Sequence, residues 1–301
     1  MKNDRIGVLL MAHGTPASLE EMPEYLRLVR GGRLPSAELV EEMRHNYAAI
    51  GGRSPLTEIT HQQGRALQAL LDDRGVPALV AVGMRNWHPF IADVMPTLVN
   101  AEVSRVFGIP LAPQYSSLSV QKYIAAAETA LPSNVRFSCV QSFHHDLLLI
   151  QAFAERVREA APRSDEDVVF TAHSLPARVI DEGDPYANQV ATTADAIARS
   201  CGLAHYQRAW QSAGRTPEPW LDPDLSDLIR QRTAAGTNAF LIVPVGFVSD
   251  HTEILFDIDV QAAAVANDLG VSLRRTASLN TSPTFIRALA DLVERELARE
   301  R

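Results

Sequence analysis

Hydrophobic residues along the chain gather in short runs that turn residues interrupt. Runs of this length, bounded by glycine, proline and polar residues, are typical of buried strands. Seven such runs occupy residues 6–12, 78–84, 105–112, 136–142, 167–173, 205–212 and 239–245. Because they are almost continuously apolar, they favour strands that are covered on both faces of a parallel sheet.

Between these runs, apolar residues recur with helical spacing. The clearest helical segments are 18–30, 61–73, 146–160, 188–202, 222–236 and 283–301. Strands that alternate with helices indicate an α/β fold, with helices on both faces of a parallel sheet.

Two of the strands end in nearly the same way. "GVLLMAHGTP" places His13 after the first run, and "DVVFTAHSLP" places His173 after the fifth. We therefore predict two similar, doubly wound halves around a central cleft. The first comprises residues 1–132 with a returning helix in 275–301, and the second comprises 133–274. Ligands bind outside the carboxyl ends of strands in such sheets, which is where both histidines lie.

Composition narrows the functional class. A chain of 301 residues with a net charge of −8 is long enough for two domains and has little attraction for nucleic acid or anionic membranes. Cys139 and Cys201 have no zinc-type spacing, so we expect reduced thiols in a cytoplasmic protein. No apolar stretch has the length of a transmembrane helix, and the first run lacks the cleavage site of a signal peptide. Nucleotide-binding glycine motifs, a GxSxG elbow and HExxH are also missing.

His173 and a second stretch, "VPVGFVSDHTEILFD", carry the candidate chemistry. His173 is a candidate base or metal ligand, and the alternative is an imidazole that only caps a turn. We predict a helix that starts near residues 250–253, with Glu253 and Asp257 on one face and Asp259 on another. The pair can hold or pass a divalent cation, or it can simply compensate the helix dipole. Apolar residues around the acids favour a lined cleft.

Three further stretches combine aromatic residues, glycine and proline. They are "YAAIGGRSPLTEIT", "GMRNWHPFI" and "WQSAGRTPEPWLDPD". Aromatic side chains near strand ends suit a flat apolar ligand. The alternative is that each stretch is a loop that packs on its own domain.

Seven stretches taken together, in this order, resemble the ferrochelatase family. They are "LLMAHGTP", "AIGGRSPL", "GMRNWHPF", "TAHSLP", "EGDPY", "WQSAGRTPEPWL" and "VPVGFVSDHTEILFD". The resemblance covers about residues 6 to 290. It implies two Rossmann-like halves around a porphyrin cleft, and insertion of ferrous iron into a porphyrin in haem synthesis.

The resemblance also implies roles for individual residues. The histidine of "AHSLP", His173, is expected to accept pyrrole protons, bind the metal, or both. Glu253 is expected on the opposite side of the metal, and Asp257 continues an acidic line that delivers iron. Gln261 stands where some members have a further carboxylate.

His13 stands where many members have tyrosine and others methionine. An imidazole there can ligate the iron of the product or only line the cleft. The resemblance implies further contacts to the porphyrin by Arg30, Asn46, Tyr47, Ser54, Tyr123, Trp210 and Ser212. Asn46 replaces an arginine that some members have.

We expect ferrous iron and a porphyrin as the substrates of a monomeric enzyme, and no organic cofactor. Two cysteines are too few for an iron–sulfur cluster. The similarity to compact bacterial members favours coproporphyrin III over protoporphyrin IX. Two alternatives stay open: a haem or porphyrin carrier, which would not need the Glu253–Asp257 pair, and a chelatase that loads cobalt or iron into a sirohydrochlorin-type ring.

Overall fold

The computed structural model describes residues 5–101, 103, 105–214 and 216–299. The chain divides into two compact units. Unit 1 contains the described residues up to Ala112, then Ser117–Phe143 and the chain from Asn280, and unit 2 contains Pro113–Ser116 and His144–Leu279. Residues 1–4 of the predicted first half, residues 300–301 of the predicted last helix and Arg215 lie outside the described residues.

Unit 1 is built on a sheet of four parallel strands. Its strands are β1 (Ile6–Ala12), β2 (Ala78–Met84), β3 (Arg105–Pro110) and β4 (Arg136–Cys139), in the order β2-β1-β3-β4. Every residue of β1 is buried, because β1 lies between two strands and its side chains pack under helices. Its last residue, Ala12, leads directly to His13.

Helices cover the sheet of unit 1. They are α1 (Met22–Val29), α2 (Ala37–Ala49), α3 (Leu56–Asp73), α4 (Ile91–Asn100) and α5 (Val120–Ala130), together with a C-terminal helix, Pro283–Ala298. The C-terminal helix packs on α3. Arg74 joins the two by ion pairs of 2.8 Å to Asp291 and 2.9 Å to Glu294.

Unit 2 repeats the same sheet topology. Its parallel strands are β5 (Asp167–His173), β6 (Gln207–Gln211), β7 (Ala239–Pro244) and β8 (Ser272–Arg275), in the order β6-β5-β7-β8. The central strands β5 and β7 are almost entirely buried. His173 is the last residue of β5, so the fold places it at the carboxyl edge of the sheet.

Helices also cover the sheet of unit 2. They are α6 (Leu147–Ala160), α7 (Ala177–Asp181), α8 (Tyr186–Cys201), α9 (Leu225–Ala234), α10 (Thr252–Leu255) and α11 (Ala263–Asp268). Two of them begin at a capping aspartate: the Asp146 carboxylate accepts hydrogen bonds from two backbone N–H groups of α6, and the Asp224 carboxylate accepts one from Ser226 N of α9. A π-helical segment, Asp257–Ala262, separates α10 from α11.

The predicted α/β class is confirmed, with two four-stranded parallel sheets and flanking helices. All seven predicted strands are present, although β3, β4, β6 and β7 are shorter than predicted. β8 and the helices α2, α4, α5 and α7 were not predicted. The central cleft stays a prediction.

The units divide at a different place from the predicted halves. β4 was assigned to the second half, but it pairs with β3 from Arg105–Arg136 to Gly108–Cys139 and completes the first sheet. Unit 2 therefore begins its main segment at His144. The return to unit 1 starts at Asn280 and not at residue 275, because β8 ends at Arg275 and pairs with β7.

No helix in the described part of the chain is long and apolar enough to cross a membrane.

Candidate functional site

His173 is held at the end of β5 through its backbone. The Tyr186 hydroxyl donates a hydrogen bond to the His173 carbonyl oxygen at 3.1 Å. The loop after β7 passes close to the same point, because a Cβ atom on Gly246 would lie 2.6 Å from the Cβ atom of Ala172. Only glycine fits such an approach, which fixes the strand end beneath the imidazole.

The imidazole of His173 meets the carboxylate of Glu253. Nδ1 of His173 lies 2.8 Å from Oε2 of Glu253, and the two side chains are 35% and 36% exposed. Glu253 stands in α10, the short helix that follows β7. The pair is therefore fixed by the fold and still reached by solvent or by a ligand.

This contact shifts the pKa values of His173 and Glu253 in opposite directions. Burial alone would lower the pKa of His173, but the negative charge and hydrogen bond of Glu253, with the charge of Asp257, raise it above its ordinary value. Burial would raise the pKa of Glu253, but His173 and His251 hold it well below its usual range. The contact therefore stabilises the imidazolium form that His173 adopts once it has taken up a proton.

Asp257 is the second carboxylate of the cluster. Its Oδ2 accepts a hydrogen bond from the hydroxyl of Ser212. Burial and the nearby charge of Glu253 raise the pKa of Asp257 to about 6, against the opposing effect of the Ser212 hydrogen bond. Ser212 has a positive φ of 60°, a sparsely populated conformation for a residue with a side chain.

The acids lie where the helical hydrogen bonding changes. The carbonyl oxygen of Phe256 accepts from Val260 N at 3.1 Å and from Gln261 N at 2.8 Å, so the ladder shifts from i+4 to i+5 bonding. The predicted helix does start in the range 250–253, at Thr252, but the π-helical turn that follows it was not predicted. π-helical turns are rare and occur most often at functional sites.

Three neighbours of this cluster were missed in the sequence. Gln211 donates from Nε2 to the Glu253 carbonyl oxygen at 2.5 Å. Nε2 of His251 lies 3.9 Å from Oε2 of Glu253, and the third neighbour is Tyr186, which binds the His173 carbonyl. Each lies in a quoted stretch ("EGDPY", "WQS" or "SDHTEIL"), which was the available signal.

In unit 1, His13 lies just beyond β1. The Asn86 amide nitrogen is 3.2 Å from Nδ1 and 3.1 Å from Nε2 of His13, so one amide lies against both ring nitrogens. The ring of Tyr25 meets His13 edge-on at 6.3 Å. The contact of Asn86 with His13 was not predicted, although Asn86 lies in the quoted stretch "GMRNWHPF".

The remaining predicted porphyrin contacts lie in different environments. Arg30 is exposed at the end of α1, Asn46 is half-buried on α2, and Trp210 is half-buried on β6. Three are buried: Tyr47 in α2, Ser54 just before α3, and Tyr123 in α5. Arg85 lies over the Tyr123 ring, 5.5 Å from its centroid.

The cluster in unit 2 can take a proton and attract a cation. Neutral imidazole is a base near physiological pH, and carboxylate with imidazole suits first-row divalent metals. Within the described ranges, no group of three or more His, Cys, Asp and Glu side chains is placed to hold a metal ion.

Two enzymes of tetrapyrrole metallation are among the solved structures with a similar fold. The sirohydrochlorin chelatase SirB from Bacillus subtilis subspecies spizizenii, in complex with cobalt, matches with a TM-score of 0.57 and 12% identity, over 95% of this chain and 93% of that chain. CbiX, the terminal enzyme of sirohaem biosynthesis in denitrifying bacteria, matches with a TM-score of 0.53 and 14% identity, over 96% and 98%. At this identity the likeness shows the fold alone, and it defines the class as chelatase-like.

Sequence comparison assigns the chain to one family within this class. The chain belongs to the ferrochelatase family, whose model matches residues 5–297. It is 44% identical to a ferrochelatase of Deinococcus radiodurans, over 97% of this chain and 96% of that protein. It is 40% identical to a coproporphyrin III ferrochelatase of Anoxybacillus flavithermus, over 100% and 99%. The predicted resemblance is confirmed, and the protein is a metal chelatase of this family with Fe²⁺ as substrate metal.

Proposed function

We propose that this protein inserts Fe²⁺ into coproporphyrin III and releases two pyrrole protons. The observation that carries the proposal is the 2.8 Å contact of His173 with Glu253, with Asp257 beside it. It provides a base and two acidic groups at one strand edge. Relatives named coproporphyrin III ferrochelatase at 40% and 38% identity support the choice of porphyrin.

His173 is the proposed proton acceptor. When Nδ1 carries the proton that is donated to Glu253, Nε2 presents a lone pair to the substrate. The imidazolium formed by taking a pyrrole proton is then stabilised by the Glu253 carboxylate. Solvent reaches the partly exposed pair, so the proton can leave and a second pyrrole proton can follow.

Glu253 and Asp257 are the proposed groups on the metal side. Their charges attract Fe²⁺ and replace part of its hydration shell with carboxylate oxygens. The porphyrin nitrogens become the final ligands as their protons leave. We assign no organic cofactor and no iron–sulfur cluster to this reaction, since the base and the metal-side groups all come from side chains.

The predicted contacts from the rest of the chain complete the proposal. His13 is the proposed ligand of the product iron, and Asn86 sets the orientation of its ring. We propose that the porphyrin is also contacted by Arg30, Asn46, Tyr47, Ser54, Tyr123, Trp210 and Ser212. Tyr47 and Tyr123 are buried in hydrophobic clusters of unit 1, so we propose that each contacts the porphyrin only through the small part of its side chain that stays accessible.

Anaerobic mixing with Fe²⁺ tests the proposal. Coproporphyrin III, protoporphyrin IX and sirohydrochlorin are offered separately, and the loss of free-porphyrin absorbance is followed. We expect the fastest loss with coproporphyrin III. The His173→Ala variant should lower that rate by about 10²-fold or more, the typical contribution of a general base. His205 is exposed near the start of β6, so His205→Ala is the matched control and should retain the rate.

Three other outcomes would each contradict a different part of the proposal. Tight porphyrin binding without metallation by the wild-type protein would show a carrier. Metallation of sirohydrochlorin alone would show a different pathway on the same fold. Full activity in His173→Ala would contradict the assigned base even if the overall reaction is correct.

A further inference from the structure

Arg275 makes ion pairs with two aspartates that lie on either side of the metal-side acids. It is the last residue of β8, and its side chain is 15% exposed. Its Nε lies 2.7 Å from Oδ1 of Asp259, and its Nη2 lies 2.9 Å from Oδ2 of the same carboxylate. The Nη2 atom also lies 3.2 Å from Oδ1 of Asp250. One guanidinium therefore joins three elements of unit 2.

The two aspartates flank the segment that carries the site. Asp250 lies in the loop after β7 and also accepts a hydrogen bond of 2.7 Å from the Ser278 hydroxyl. Asp259 lies in the π-helical segment. Glu253 and Asp257 are the acidic residues between them, and both face the His173 cluster, whereas Asp259 pairs with Arg275.

We propose that Arg275 is a positioning residue for iron insertion: its clamp on Asp250 and Asp259 fixes the spacing of the Glu253 and Asp257 carboxylates that receive Fe²⁺. The proposal rests on the proposed function of this site. Arg275 itself does not touch the substrate. It acts through the backbone of the segment between its two partners.

Arginine suits this role because its planar fork binds a carboxylate through two parallel hydrogen bonds and fixes direction as well as distance. A π-helical turn has no strong intrinsic preference to form. A bidentate tie at Asp259 holds that turn in one register, and the contact with Asp250 holds the entry to α10. Lysine can supply the charge without the fork.

Arg274 offers a matched control. It is the preceding residue on β8 and makes the same type of bidentate pair, with 2.6 and 2.7 Å to the Glu166 carboxylate. It also binds the carbonyl oxygen of Ala160, at the end of α6. Loss of this pair removes a comparable ion pair from the same strand, away from the acidic segment.

The first test compares steady-state metallation by Arg275→Met, Arg275→Lys and Arg274→Met. Methionine keeps much of the apolar stem that packs on the fold. We expect the KM for Fe²⁺ to rise about tenfold or more in Arg275→Met, the typical effect of losing a group that orients a metal ligand. The KM for the porphyrin should not change. The KM for Fe²⁺ of Arg275→Lys should lie between those of the wild type and Arg275→Met. Arg274→Met should keep the wild-type KM for Fe²⁺.

The second test needs no porphyrin. Co²⁺ is titrated into each protein anaerobically, and its visible absorption and the heat of binding are recorded. Arg275→Met should bind Co²⁺ about tenfold or more weakly than Arg274→Met, with an altered absorption band.

Equal behaviour of the Arg275→Met and Arg274→Met variants in both tests would overturn the proposal. If the wild-type protein fails to metallate any porphyrin, the proposed function is wrong, and a Co²⁺ affinity that depends on Arg275 would still show its positioning effect. If Arg275→Met does not fold, Asp259→Asn replaces it, since this change breaks the tie to the π-helical segment and leaves Arg275 with Asp250. The same rise in KM for Fe²⁺ is then expected, and its absence overturns the proposal.

Discussion

Nδ1 of His173 lies 2.8 Å from Oε2 of Glu253, although the two residues are 80 positions apart in the sequence. One comes from the end of β5 and the other from α10. Each raises the preference of its partner for the charged form, so the two groups titrate as a linked pair. The proposed proton acceptor, His173, is thus held near a carboxylate that stabilises its protonated form.

This pair should contribute to stability in a defined pH window. The pKa of Glu253 is lowered well below 4.5, so its contribution is present above about pH 4.5 and is lost as the pH falls through the folded-state value. The pKa of His173 is raised above 6.5, so its contribution is complete below about pH 6.5 and is lost as the pH rises through the folded-state value.

We therefore expect Glu253→Gln to lower the free energy of unfolding most strongly between about pH 4.5 and 6.5. The loss should be about 1 kcal/mol, because solvent screens two side chains that are each about one-third exposed. Urea unfolding at several pH values measures it. Glu128→Gln, which changes an exposed residue of α5, is the control. A difference between wild type and Glu253→Gln that grows above pH 7 would contradict the expected direction of the pH dependence.

The Ser212–Asp257 hydrogen bond predicts a second pH effect. The pKa of Asp257 is about 6, so its carboxylate becomes available to Fe²⁺ as the pH rises through about 6. The Ser212 hydroxyl favours the charged form, and its removal in Ser212→Ala should raise the pKa of Asp257 further. The rise of metal affinity with pH should then move to higher pH, as Co²⁺ titrations at several pH values can show.

Asp257→Asn is the control for that experiment, because it removes the titrating group and should abolish the step near pH 6. An unchanged midpoint in Ser212→Ala would mean that the hydroxyl does not tune this carboxylate.

The strands could be predicted because burial on both faces gives continuous apolar runs, as in β1 and β5. β8 could not, since it is an edge strand of sequence Ser-Leu-Arg-Arg with no apolar run. The π-helical segment has no local signature either. The pair that ties it to β8 joins residues sixteen positions apart, Asp259 and Arg275.

The residues of the candidate site could also be predicted only in part. The predicted residues His173, Glu253, Asp257 and Ser212 come together in unit 2. The supporting residues were missed because they act on main-chain oxygens: Tyr186 binds the carbonyl of His173, and Gln211 binds that of Glu253. Every residue has a backbone carbonyl oxygen, so the sequence does not indicate which of them accepts a hydrogen bond from a side chain. Only the donor side chain can be recognised in the sequence.

The proposed role of His13 can be tested with the product alone. The wild-type protein mixed with ferric coproporphyrin III should give the absorption spectrum of a histidine-ligated haem, because an imidazole is a strong axial ligand. His13→Ala should lose that spectrum and bind the product more weakly. Asn86→Ala, which frees the ring from its amide neighbour, should broaden the spectrum without abolishing it. Loss of the histidine spectrum in His173→Ala, with His13→Ala unchanged, would move the product ligand to the other unit.

Substitution of Gly246 tests how closely the position of His173 depends on packing at the end of β5. A Cβ atom in Gly246→Ala would lie 2.6 Å from the Ala172 Cβ and 2.8 Å from its Cα, so β5 must move beside His173. Overpacking of this kind costs about 1–3 kcal/mol. The displaced imidazole should also lower the metallation rate in molecules that remain folded. Gly270→Ala is the control, because its positive φ of 70° strains the backbone while a Cβ there meets nothing within 4 Å. We expect both variants to lower the free energy of unfolding and only Gly246→Ala to lower the rate per folded molecule. Equal rates in the two variants would mean that the His173–Glu253 contact tolerates movement of the strand that carries it.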